Sequence, residues 1–171
     1  TSCVFSGNIR FGMINGNGNP IVTDCTFSGS ERGIMNDGCN PTIRKCNFFK
    51  NSTGVAHFGT SVQSPGALVI ADCTFSENGT GIVDVGDSDS MITNSTFSQN
   101  HLGVSTVGQI TDSTFSHNGT GVSTGWHAMI TNCVFSHNSL GMDCTGGMPT
   151  VTASTFFKNR AAGIQNRKSQ P

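Results

Sequence analysis

Three acids fall within the six residues from Asp84 to Asp89, "DVGDSD", in a chain whose Asp, Glu, Lys and Arg together make up only 11%. Asp84, Asp87 and Asp89 place several carboxylate oxygens in one short segment, the kind of donor set that Ca²⁺ takes. Calcium is the one cofactor this pattern admits. The segment lacks the glycine at the sixth place and the terminal glutamate of an EF-hand loop, and the competing reading is a solvated turn. His117 and His137 form a second candidate pair. They hold equivalent places in "TFSHNGTG" (Thr114–Gly121) and "VFSHNSLG" (Val134–Gly141), so stacked strands would set them ~4.8 Å apart. Two imidazoles at that spacing could share a transition metal. The same position elsewhere holds Gly29, Lys50, Glu77, Gln99 and Lys158, as a variable exposed site would.

The seven cysteines leave at least one unpaired if all pairing is internal. Cys3, Cys25, Cys46, Cys73 and Cys133 share a column with Ser95, Ser113 and Ser154. Exchange with serine at equivalent positions points to a small side chain facing inward, hence to free buried thiols, although neighbouring strands lie close enough for a bridge. Cys39 and Cys144 fall outside the column, and no Cys-x-x-Cys spacing offers a zinc site. No Ser/His/Asp set can be assigned.

These residues are positioned by a repeat. Phe5, Phe27, Phe48, Phe75, Phe97, Phe115, Phe135 and Phe156 recur every twenty or so residues, the mark of a solenoid. Two residues before each Phe stands the Cys/Ser column, and three before that a branched aliphatic: Val22, Ile43, Ile70, Ile92, Ile110, Ile130, Val151. The two-residue period from Cys/Ser to Phe marks a first strand with both side chains pointing inward. Three residues after Phe comes Asn8, Asn51, Asn78, Asn100, Asn118, Asn138 or Asn159, with Ser30 the exception. Asn tolerates left-handed backbone and bonds its stacked equivalents, so the column reads as a corner ladder. A Gly then precedes a second aliphatic column on a second strand: Met13, Ile34, Val55, Ile82, Val104, Val122, Met142, Ile164.

Identical side chains at equivalent places demand parallel, in-register coils, which a β-sandwich of antiparallel hairpins does not. The irregular period disfavours a left-handed hexapeptide helix. The expected fold is all-β, a right-handed parallel β-helix of about eight coils over residues 1–171, a rod ~35–40 Å long with no helical cap. Because it begins in mid-coil at "TSCVFSGN", it is expected to be part of a longer chain, and bare coil ends would favour end-to-end self-association.

Abundant Gly (22), scarce Pro (5) and a net charge of −1 agree with a strand-and-turn protein. They give no support for nucleic-acid partners, and no apolar run is long enough for membrane insertion. The 27-residue coil from Phe48 to Phe75 carries extra residues at "FGTSVQSPGA" (Phe58–Ala67), one coil from Asp84–Asp89. A long loop on a rigid scaffold is where binding groups sit. Asp24, Lys45 and Asp72 share one column, which reads as local charge compensation. The sequons at Asn51, Asn78, Asn94 and Asn118 are by-products of the repeat.

"NPIVTDCTFSGS" (Asn19–Ser30), "NDGCNPTIRKCNFFKN" (Asn36–Asn51) and the recurring Phe-x-x-Asn resemble the right-handed β-helix repeats of large secreted bacterial proteins. Two groups are similar: the polymorphic-outer-membrane-protein type of surface adhesin and the pectate-lyase-like superfamily. The resemblance implies a secreted or cell-surface protein. Three functions follow as expectations. The first is a non-catalytic module for adhesion, binding a polysaccharide or a surface protein through outward hydroxyls: Thr26, Ser28, Thr74, Ser76, Thr93, Thr96, Ser98, Thr111, Thr114, Ser116 and Thr131. The second is a polysaccharide lyase, hydrolase or epimerase, for which Asp84, Asp87 and Asp89 with Arg44 are the only acidic cluster and strand arginine. The third is ice contact by the same Thr/Ser files, interrupted by Arg44, Asn47, Phe49, Val134 and Phe157. The reading leans away from catalysis because folding explains nearly every repeated residue.

Overall fold

The computed structural model describes residues 2–59, 66–85, 89–106, 108–125, 128–146 and 149–167. Their only regular structure is β-strand, in three parallel sheets. The first sheet has eight strands, from Val4–Ser6 to Thr155–Phe157; the second has eight, from Phe11–Gly16 to Ala162–Arg167; the third has seven, from Ile21–Thr23 to Thr150–Thr152. A complete turn uses one strand of each, as in Met91–Thr93, Thr96–Ser98 and Leu102–Ser105. Seven such turns follow an initial turn of two strands.

Register is fixed by the repeat columns. Phe75, Phe97 and Phe115 are direct partners, as are Ile92 with Ile110 and Val104 with Val122. All seven are buried in one continuous core. Phe97 lies 4.8 Å from Phe75 and 4.8 Å from Phe115, at interplanar angles of 4° and 5°. Isolated rings prefer offset or edge-on pairs, so the coil spacing imposes the parallel stack, and ring burial supplies the stabilisation.

Two expectations about the corners need correction. The stretch from the aliphatic residue through Phe is two strands, because the residue before each Cys/Ser turns left-handed: Asp72 (φ 56), Asn94 (φ 46), Asp112 (φ 51) and Asn132 (φ 54). Asp24, Lys45 and Asp72 belong to this corner; no ion pair joins them, and what they share is a positive φ. The ladder asparagines are not the left-handed residues either. That role falls to the residue just before, including Glu77 (φ 55), Gln99 (φ 57), His117 (φ 57) and His137 (φ 56).

Freed from the turn, each ladder asparagine satisfies buried backbone. Asn100 Oδ1 accepts from the main-chain N–H and Nδ2 of Asn78 (2.9 and 3.0 Å), while Asn100 Nδ2 donates to Phe75 O (3.1 Å). The other corner has its own ladder. Cys46 Sγ accepts from Cys25 N (3.5 Å), Cys73 Sγ from Cys46 N (3.4 Å), and Ser95 Oγ from Cys73 N (3.2 Å). Each also donates two residues back, as Ser95 Oγ does to Thr93 O (2.8 Å). Cys and Ser interchange because the corner needs a small group that both donates and accepts. None of the seven cysteines is in a disulfide.

Glycine after the ladder corner is required by close approach. A Cβ on Gly81 would lie 2.5 Å from Gly103 O and 3.0 Å from Phe97 Cδ1.

Candidate functional site

The hydroxyl files divide between sheets. Thr26, Ser28, Thr74, Ser76, Thr96, Ser98, Thr114 and Ser116 lie on the first sheet, whereas Thr93, Thr111 and Thr131 lie on the third, beyond the left-handed corner. In the third sheet the file is internally bonded, Thr111 Oγ1 donating to Thr93 Oγ1 (3.1 Å).

The first sheet carries a more specific arrangement. Its serine file reads Phe49, Ser76, Ser98, Ser116, Ser136, Phe157, each residue the direct partner of the next. Two aromatic rings therefore bracket four in-register serines over ~24 Å, five steps of the strand spacing; Ser76, Ser98 and Ser116 are half-buried, whereas Ser136, and Ser28 of the expected face, are buried and do not present their hydroxyls. Phe157 is 43% exposed. The neighbouring file adds Thr74, Thr96 and Thr114.

The acidic cluster is placed differently. The Asp84 side chain is buried at 5% exposure and its Oδ2 accepts from Thr106 Oγ1 (3.0 Å). Asp89 is exposed, and Asp87 lies outside the described residues. Among the described residues no group of three or more His, Cys, Asp or Glu side chains could hold a metal ion. Residues 60–65 of the long coil also lie outside the described residues. Its flanks are anchored: Ala67 N donates to Asn40 Oδ1 (2.9 Å), and Leu68 is fully buried.

Asp84 belongs to an interior polar file the sequence reading missed. Asn36, His57 and Asp84 are register partners in the second sheet, and all are buried. His57 Nε2 lies 2.7 Å from Gly66 O; a carbonyl only accepts, so Nε2 carries the proton. Among the described residues His57 Nδ1 and Asn36 Nδ2 have no hydrogen-bond partner. Each residue stands two positions after the second aliphatic column, so the two-residue strand period already pointed it inward.

The histidine pair stacks as its spacing requires. His117 and His137 have ring centroids 5.0 Å apart at an interplanar angle of 3°, and Phe157 meets His137 edge-on at 5.7 Å and 78°. They line a shallow groove of about 420 Å³ with Asn118, Gly119, Asn138, Ser139, Lys158 and Arg160. A metal between two imidazole nitrogens spans ~4.2 Å at most, less than the separation of like atoms in this stack, so the pair as placed does not form a bridging metal site.

Comparison with known proteins follows this geometry. A family model described as a right handed beta helix region matches residues 1–97. No curated protein matches the chain. Among solved structures, one of QnrB1, described as a plasmid-mediated fluoroquinolone resistance protein, is similar at 10% identity and a TM-score of 0.30, covering 98% of this chain and 92% of that one.

Proposed function

The chain belongs to the right-handed β-helix family, and on that premise we propose that it is a non-catalytic glycan-binding module using the outer face of its first sheet. The file Phe49–Ser76–Ser98–Ser116–Ser136–Phe157 carries this reading. A saccharide presents apolar C–H faces and a fringe of hydroxyls, which match aromatic rings and serine hydroxyls on a fixed frame. Rigidity matters here. The strand backbone is already ordered by sheet pairing, so binding immobilises few additional groups, and a polymer contacting several coils gains from multivalency.

Two observations turn the reading away from lyase or hydrolase chemistry. The Asp84 carboxylate faces inward and is engaged by Thr106, and Arg44 lies in the third sheet, in another turn. A secreted or cell-surface location fits a protein that meets polysaccharide. The reading is tested by retention on immobilised polysaccharides, with products sought by mass spectrometry: retention without turnover supports it. Ice contact is a second reading, favoured by the in-register threonines Thr74, Thr96 and Thr114. Thermal hysteresis in the absence of glycan retention would select it.

A further inference from the structure

The groove at the ladder corner has a one-sided chemistry. His117 and His137 lie in successive turns, Lys158 follows in the next, and Arg160 stands two residues on. All four are exposed, and no carboxylate lines the groove. The nearest acid in the same column is Glu77, two turns before His117, and Lys50 Nζ already engages it at 3.7 Å. His101 adds a further imidazole in the turn before: a Cβ on Gly119 would lie 3.5 Å from His101 Nδ1.

The groove's amides are consumed by the ladder. Asn118 Nδ2 donates to Phe97 O and Asn138 Oδ1, both at 3.0 Å, and Asn138 Nδ2 donates to Phe115 O and Asn159 Oδ1, both at 3.0 Å. The side chains left to contact a ligand are imidazole, ammonium, guanidinium and the Ser139 hydroxyl. Three of those four types are cationic or can become so, which is the recognition set for an oxyanion. Guanidinium and ammonium bind phosphate and sulfate by charge-assisted hydrogen bonds. The face-to-face imidazoles would repel each other if both were charged, and a bound anion at their edge offsets that repulsion.

The groove is also continuous with the serine file. Phe157, which ends that file, touches His137, so a saccharide lying along Phe157 brings its substituents to the cationic corner. We propose that the His117–His137–Lys158–Arg160 groove binds a sulfate ester carried on a saccharide. This assignment rests on the glycan reading above and narrows its ligand class.

The test uses a sulfated dextran oligosaccharide, the same oligosaccharide without sulfate, and inorganic sulfate, each titrated calorimetrically into the protein. The variants are Lys158→Asn/Arg160→Gln and His117→Asn/His137→Asn. Asn is chosen at Lys158, His117 and His137 because it tolerates their positive φ, and unchanged melting shows that each variant folds. The expected result is binding of the sulfated oligosaccharide about tenfold tighter than the unsulfated one, that gain being lost in both variants. Equal affinity of wild type for the two oligosaccharides, or unaltered variants, overturns the inference while leaving the glycan reading in place. Sulfate-dependent binding that survives Ser98→Glu/Ser116→Glu overturns the sheet-face reading and leaves the groove standing. Inorganic sulfate binding as tightly as the ester identifies a free-ion site and overturns the saccharide assignment. No binding of any of the three overturns both.

Discussion

Asn100 donates to Asn118 Oδ1 through both its main-chain N–H and its Nδ2, at 3.0 Å in each case. One side-chain oxygen thus closes two bonds from the turn before it, and the same unit recurs from Asn51 to Asn159. The corner is a chain of buried amides, each satisfied by its neighbours in adjacent turns.

Removing a central member therefore exposes partners on both sides. Asn100→Ala leaves Asn78 N–H and Phe75 O without their side-chain partner in a buried corner. Each orphaned group costs about 1–3 kcal/mol. Asn100→Asp keeps the acceptor but sets a carboxylate oxygen against Phe75 O and Asn118 Oδ1 in a buried corner, so at neutral pH it is expected to cost at least as much as alanine. Denaturant unfolding measures both; a loss below ~0.5 kcal/mol for alanine contradicts the ladder's role.

The phenylalanine stack is tested in the same way. Phe97 is fully buried between two rings, and Phe97→Ala is expected to cost about 3–5 kcal/mol. Phe97→Leu, which fills more of the space, should cost less than alanine.

Much of this was legible in the sequence because stacking demands identity at equivalent places. Phe, Asn and the two aliphatic columns each declare an interior position, and His117 beside His137 followed from the same alignment. The errors arose where backbone geometry is decided by a residue of variable type. Asp24, Lys45, Asp72 and Asn94 differ in charge and share only a left-handed φ, so their corner looked like strand with a charge pattern. That missed bend merged two sheets and placed Thr93, Thr111 and Thr131 on the wrong face. The inward file through His57 and Asp84 was missed because its residue types vary. Asp84 was judged by its neighbours in sequence when its position, two residues after Ile82, made it interior.

The thiols give a prediction in pH. Burial pushes Cys133 above the ordinary thiol value of 9.0. As pH rises, the unfolded chain ionises first, so the Cys133 contribution to stability is complete below about pH 9 and is lost as pH climbs through the raised folded value. Cys133→Ser, the residue found in the same column at Ser95 and Ser113, should remove that alkaline loss. Under native conditions iodoacetamide should label exposed Cys3 first, with the six buried thiols reacting only on unfolding.

Calcium provides a fourth check. With the Asp84 carboxylate buried and bonded to Thr106, millimolar Ca²⁺ should leave the melting temperature unchanged relative to EDTA. Ligand at a hundred times its dissociation constant would add about 2.7 kcal/mol, so a clear rise would restore the Asp84–Asp89 segment as a metal site.

The most direct measurement is retention of wild type and Ser98→Glu/Ser116→Glu on a panel of neutral and acidic polysaccharides, with released material analysed by mass spectrometry. Both serines lie midway between Phe49 and Phe157 on the file. The account predicts that wild type is retained, that the substitution weakens retention about tenfold, and that no shortened saccharide appears. Saccharide products, or retention indifferent to the two glutamates, would contradict it.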